Sequence, residues 1–270
     1  MANDPEIKIV DFIDSTNLVL KKMAKEGAPE GTAIIAKEQS AGRGRNGRSF
    51  FSPKDAGIYF SILLRPKAHD GFAVTDITPM AGVAASEAIE KCTGKKVGIK
   101  WVNDLIYREK KICGILAEAE ADGKGGLSYA VLGIGLNVFA PKGGWPDDIS
   151  DRAGSLFERT GNFAPRAEIG EMSPVSEFQQ TADDELKLDI ANETISRFME
   201  IYRRNDRTFV DEYKKRCITN GRRIVVIIGK SKRNALALGI DDECRLLVRY
   251  EDDGSLEALS GGEISIRNRT

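Results

Sequence analysis

Seven consecutive residues, Gly42-Arg43-Gly44-Arg45-Asn46-Gly47-Arg48, hold three glycines and three arginines. Glycine loses the most backbone freedom on ordering, so this run marks a loop rather than a helix or strand. A loop of this kind brings bare N–H groups and guanidinium forks together, a combination suited to phosphate or carboxylate. A solvated basic surface loop has the same composition, and the run alone leaves both readings open. Two more polar groups stand out. Lys100-Trp101-Val102-Asn103-Asp104 sets an ammonium, an amide and a carboxylate around one tryptophan. Ser15-Thr16-Asn17 supplies two hydroxyls and an amide at the expected start of a helix. There they serve either as an N-cap or as partners for a polar ligand.

Other chemistry is excluded or unsupported. The single histidine, His69, lies beside Pro66, Asp70 and Gly71 in an expected loop, which gives little basis for a catalytic triad or a multi-histidine metal site. The four cysteines, Cys92, Cys113, Cys217 and Cys244, are scattered and form no CxxC pair, which points to free thiols in a reducing compartment. A formal net charge of -1 rules out a global basic field for nucleic acid, so anion affinity must come from a local cluster. No apolar run approaches the ~20 residues of a membrane span, and the polar, acidic start Met1-Ala2-Asn3-Asp4-Pro5-Glu6 is not a signal peptide. A cytoplasmic protein is expected, and an enzyme of this composition would act by positioning and electrostatics.

The elements that must hold these groups follow from patterning. A strand around residues 7–10 leads to a helix from Asp14 or Ser15 to about Glu26, ended by Gly27. Strands at 32–37 and 57–64 bracket the glycine–arginine loop, as expected for a ligand loop carried on a sheet. A helix rich in small residues runs from Thr78 or Pro79 to about Lys91. Strands at 111–120 and 129–138 come next. On the second, Leu132, Ile134, Leu136 and Val138 face one way, while Val131, Gly133, Gly135 and Asn137 face the other. Two glycines before an amide make a shallow trough, fit for a flat ligand or a close backbone crossing. Residues 140–185 read as an exposed insertion with a short helix at 153–160. Helices at 183–205 and 208–217 follow, the first with Leu188, Ala191, Ile195, Phe198 and Tyr202 on one face. Five short strands between residues 223 and 266, joined by polar turns, predict a small β-barrel. The expected domains are residues 1–218 and 219–270.

The ordered set of Ser15-Thr16-Asn17, Gln39 with the Gly42–Arg48 loop, Lys100-Trp101-Val102-Asn103-Asp104, and Gly133-Ile134-Gly135-Leu136-Asn137-Val138 resembles the biotin protein ligases. Gly261-Gly262-Glu263-Ile264-Ser265 is similar to the end of that family's small domain. The resemblance covers about residues 9–268 and is weakest over 140–185. It implies an α+β fold: a mixed β-sheet with packed helices, like the class II synthetases, plus a C-terminal SH3-like β-barrel. It implies two steps, formation of biotinyl-5'-AMP from biotin and ATP and transfer of biotin to a lysine of a biotin carboxyl carrier protein.

Residue roles carried over from the resemblance are expectations. Lys100 and Arg45 are the catalytic candidates. Ser15, Thr16, Asn17, Gln39, Arg43, Gly44, Arg45, Lys100, Gly114 and Gly133 are expected to bind biotin. Arg45, Arg48, Phe50, Asn103, Lys111 and Asn137 are expected to bind the nucleotide, with Phe50 and Asn137 near the adenine and ribose. Asp104 is the candidate for Mg²⁺, which the nucleotide would mainly ligate. Two positions depart from the family pattern: Phe50 stands where tryptophan is usual, and Val102 where proline is usual. Many bacterial members carry an N-terminal DNA-binding domain, and the start of the triplet at residue 15 leads us to expect none here. A homodimer is compatible with the resemblance. The competing classes are a lipoate– or octanoate–protein ligase and a non-catalytic biotin sensor.

Overall fold

The computed structural model describes residues 6–66, 73–159 and 175–266. His69 and residues 160–174 lie outside the described residues. Strand β1 (Ile7–Ile13) leads into helix α1 (Thr16–Lys25) and strand β2 (Ala33–Gln39), and β3 is Gly57–Leu64. Helix α2 (Ile77–Thr93) precedes β4 (Gly98–Lys100), β5 (Asp104–Tyr107), β6 (Lys110–Ala121) and β7 (Leu127–Asn137). Helices α3 (Val175–Arg204) and α4 (Phe209–Arg216) follow, and then strands β8 (Arg223–Ile228), β9 (Ser231–Ile240), β10 (Leu246–Tyr250), β11 (Leu256–Leu259) and β12 (Glu263–Ile266).

The first seven strands make one mixed sheet in the order β1-β2-β3-β7-β6-β5-β4. β1 and β2 are parallel and joined by α1, and the remaining neighbours are antiparallel. Strand alternation divides the core between the two faces. Ile62, Leu64, Leu132 and Ile134 pack with α2 residues such as Met80, Val83 and Ala84 and α3 residues such as Ile195 and Phe198. On the other face Leu63, Val131 and Ile34 pack with Leu20 and Ala24 of α1. Cover on both faces explains why all eight residues of β3 are buried. α1 is only ten residues long and begins at Thr16, so it covers one end of its face and leaves the glycine end of β7 to other partners.

The last five strands form one antiparallel ladder, β11-β10-β9-β8-β12, with β11 and β12 at its ends. Its apolar residues belong to the same cluster as the large sheet's core. Trp101 ties the two sheets together. Its backbone N–H donates to Thr219 Oγ1 and its indole Nε1–H to the Cys244 carbonyl, each at 3.0 Å.

Two expectations are corrected. Residues 153–159 are irregular rather than helical, because bridges from Ala153 to Lys111 and from Phe157 to Phe139 draw them into extended contact with the sheet. Residues 140–159 therefore pack as a wall instead of standing off as an exposed insertion. The helix expected from 183 begins at Val175.

Candidate active site

Beyond the N-terminus of α1 the exposed floor of the sheet is built from glycines. Register sets Ser61 opposite Gly133 and Tyr59 opposite Gly135, while on the other side Leu116 pairs with Gly133 and Gly114 with Gly135. The glycines are required by close approach. A Cβ on Gly133 would collide with Asn17 Oδ1, and one on Gly135 would lie 2.5 Å from Phe50 Cε1. Asn17 and the Phe50 ring thus lie side by side on the trough, and the ring also touches the position a Gly114 Cβ would take. The close approach is made by the side chains of Asn17 and Phe50 rather than by a crossing backbone.

A small pocket of about 20 Å³ occupies this corner, lined by Ser15, Thr16, Asn17, Gln39, Arg43 and Gly133 among others. Its polar groups are fixed by one another. Gln39 Oε1 accepts from the Thr16 backbone N–H at 2.9 Å and lies 3.1 Å from Thr16 Oγ1. Gln39 Nε2–H donates to Ser52 Oγ at 3.1 Å, and Ser61 Oγ lies 2.6 Å from Asn17 Oδ1. Ser15 stands at the N-cap with extended φ and makes no capping bond through its side chain, so simple N-capping does not account for the triplet.

A cavity of about 540 Å³ adjoins it, with Phe50 lining both spaces. Gly44, Arg45, Arg48, Lys100, Asn103, Asp104, Lys111 and Asn137 all line the larger space. The glycine–arginine loop forms its rim through a turn at Arg45–Gly47, where Asn46 and Gly47 take positive φ. Arg45 Nη1–H donates to Asn103 Oδ1 at 3.0 Å and Nη2–H to the Gly262 carbonyl at 3.1 Å. The Lys100 ammonium makes no hydrogen bond or ion pair with any described residue. Burial pulls its ammonium below the ordinary lysine value, against the opposing charge of Asp104 and with the help of Lys111. Asn137 donates through Nδ2–H to the Gly154 carbonyl at 3.0 Å, while its buried Oδ1 has no partner.

The acidic side of the cavity is already engaged. Lys111 Nζ lies 2.6 Å from Asp104 Oδ1, close enough for an ion pair though not aligned as a hydrogen bond. Among the described residues no three histidine, cysteine, aspartate or glutamate side chains converge to hold a metal ion. The residues present do not build a Mg²⁺ site by themselves.

The structure thus draws Ser15, Thr16, Asn17, Gln39, Arg43 and Gly133 to the small pocket and Gly44, Arg45, Arg48, Lys100, Asn103, Asp104, Lys111 and Asn137 to the large one. Phe50 sits at their junction, and Gly114 lies under its ring. Sequence reasoning missed the outer wall, where Trp145 packs edge-on against Phe51 and Ile149 and Arg152 also line the cavity. It also missed Ser52, Ser61 and Glu118. For Glu118 a signal existed, since strand alternation sets it on the same face of β6 as Gly114.

Residues 9–137 match the Biotin/lipoate A/B protein ligase family, and residues 219–267 match the Biotin protein ligase C terminal domain. Both matches name one class of protein, the biotin and lipoate protein ligases. A biotin–[acetyl-CoA-carboxylase] ligase of Paracoccus denitrificans is 30% identical over 243 residues, covering 87% of this chain and 91% of that protein. The solved biotin protein ligase of Aquifex aeolicus in complex with biotin and ATP superposes with a TM-score of 0.72 at 26% identity, covering 98% of this chain and 99% of the other. The bifunctional ligase/repressor BirA of Bacillus spizizenii is 36% identical over 159 residues. That match takes in 59% of this chain and only 48%, about half, of the Bacillus protein. The chain belongs to the biotin protein ligase family.

Proposed function

We propose that this chain activates biotin with ATP and transfers it to a lysine of a biotin carboxyl carrier protein. The observation that carries this reading is the pair of spaces meeting at Phe50. One is small and lined by hydroxyls and amides. The other is large enough for a nucleotide and rimmed by Arg45, Arg48, Lys100 and Lys111.

In the first step the biotin carboxylate attacks the α-phosphorus, an anhydride forms, and the bond to the β-phosphate oxygen breaks to release pyrophosphate. No side-chain nucleophile is needed; two anions must be brought together and their charge balanced. Lys100 is assigned to the carboxylate and α-phosphate, because its charge is desolvated and free of protein partners. Arg45 and Arg43 are assigned to closing the loop over the intermediate. The free acceptor at Asn137 Oδ1 supports a base amine or ribose hydroxyl beside it. In the second step the carrier lysine's neutral amine attacks the acyl carbon, the amide forms, and AMP leaves with the amine's proton lost to solvent. Ser15, Thr16, Asn17 and Gln39 are assigned to the ureido ring. The Phe50 ring lies over Gly114 and Gly135, so a ligand ring seated on that part of the floor displaces it. We assign the chemistry to residues 1–218 and the clasp on the loop to residues 219–270.

The test is exchange of labelled pyrophosphate into ATP with biotin, lipoate or octanoate added singly. Exchange that depends on biotin alone is expected. Exchange with lipoate or octanoate instead, or none at all, would overturn the proposal.

A further inference from the structure

Glu118 stands beside the small pocket, on the glycine-bearing face of β6, two residues from Leu116, which pairs with Gly133. Its carboxylate gathers groups from two separate segments. Oε2 accepts from Asn17 Nδ2–H at 2.9 Å, and Oε1 accepts from Lys21 Nζ–H at 2.6 Å. Oε1 also receives Arg43 Nη2–H, from the glycine–arginine loop, at 3.4 Å. The side chain is 18% exposed. Burial raises its carboxyl, but the hydrogen bonds from Asn17 and Lys21, with the charges of Lys21 and Arg43, outweigh it and hold the group below the ordinary glutamate value. It is ionised at neutral pH and can only accept.

We propose that Glu118 is a positioning residue that locks the Asn17 amide in one orientation and tethers Arg43, and so sets the donor–acceptor polarity of the pocket that takes biotin. The proposal rests on the ligase reading above. An ionised carboxylate against Asn17 forces the amide nitrogen toward Glu118. The amide oxygen must then face Ser61 Oγ, 2.6 Å away, over the Gly133 floor. A flipped amide would set carbonyl against carboxylate and leave two buried acceptors facing each other, at a cost like that of any unmet buried polar group. A cyclic urea carries one acceptor between two donors, so the pocket that reads it needs its own donors and acceptors in fixed places. Lys21 gives the carboxylate a second cation at closer range than Arg43. The Arg43 contact can therefore open with its loop while Glu118 stays charge-paired and Asn17 stays oriented.

The experiment uses the full chain in biotin-dependent pyrophosphate exchange, with KM measured for biotin and ATP separately and adenylate retention followed after rapid gel filtration. Glu118→Ala is expected to raise the biotin KM at least tenfold, with the ATP KM within twofold and kcat within threefold. Glu118→Gln keeps an acceptor for Asn17 but not the charge. It is expected to bring the biotin KM back to within threefold while adenylate is lost at least threefold faster. A role confined to strand stability would move both KM values and kcat together, and Glu118→Gln would not separate binding from retention. An unchanged biotin KM in folded Glu118→Ala overturns the proposal alone, whereas absence of biotin-dependent exchange in the unaltered protein overturns the ligase reading with it. If Glu118→Ala does not fold, Glu118→Gln decides: unaltered adenylate retention overturns the proposal.

Discussion

Arg48 and Glu263, 215 residues apart, meet through two parallel hydrogen bonds, Nη1–H to Oε1 at 2.9 Å and Nη2–H to Oε2 at 2.7 Å. The fork fastens the glycine–arginine loop to the last strand of the C-terminal sheet. The hydrogen bond and charge of Arg48 hold the Glu263 carboxyl below its ordinary value. Both side chains are substantially exposed, so the pair is worth about 0–1 kcal/mol. Glu263→Gln should therefore speed adenylate loss about 2–5-fold with almost no change in melting temperature, a difference that narrows at high salt. The sign with pH follows from a depressed carboxyl: the clasp is in place above the ordinary glutamate pKa and is lost as pH falls through the lowered one. Adenylate retention measured between neutral and acidic pH checks this.

Arg45 reaches both Asn103 and the Gly262 carbonyl, so it too joins the loop to the two sheets. Arg45→Ala should leave pyrophosphate exchange measurable while free biotinyl-adenylate accumulates in solution. Chromatography of the reaction with and without a carrier would detect the leak.

Lys100 bears the charge that adenylation requires. Lys100→Ala should reduce exchange by roughly 10²–10³-fold, the scale expected when one preorganised charge is removed from a transition state. Because burial lowers its pKa, the alkaline limb of the pH profile should fall below the ordinary lysine value of about 10.4, and Lys100→Arg should shift residual activity to higher pH. The linkage has the opposite sign from a salt-bridged lysine. The folded state holds this proton less tightly than the unfolded chain, so the lysine destabilises the fold at neutral pH. Lys100→Met should melt higher than the unaltered protein at pH 7, and the gap should close as pH rises.

Gly133→Ala puts a methyl group into the space of Asn17 Oδ1. Overpacking there should destabilise by about 1–3 kcal/mol in urea unfolding. It should also raise the biotin KM by an order of magnitude or more, with a much smaller effect on the ATP KM. An equal rise in both would remove Gly133 from the biotin pocket.

Trp101→Phe keeps an aromatic ring, though a smaller one, and loses the indole donor to the Cys244 carbonyl. The buried carbonyl left behind should cost about 1–3 kcal/mol of stability in urea unfolding.

The sequence by itself determined most of the elements, though not β4 and β5 or the irregular path of residues 153–159. Alternation in β7 assigned Gly133, Gly135 and Asn137 to one face, and the five C-terminal strands were legible in short β-rich runs between polar turns, because strand period and turn composition are local properties. The residues of the small pocket were legible as an ordered set of motifs. What the tertiary structure decided are relations of long sequence separation, which no local pattern encodes. The register of β6 against β7 brings Glu118 under Asn17, 101 residues away. Bridges from Lys111 and Phe139 turn residues 140–159 from an expected insertion into a cavity wall. Packing also sets the Phe50 ring on the glycine floor between the two spaces, whereas the motif alone placed it beside a nucleobase. Composition made the glycine–arginine loop an anion binder or an ordinary surface loop. The ordered motifs on either side of the loop favoured the first. What the fold adds is that Gly262 and Glu263, more than two hundred residues on, meet Arg45 and Arg48.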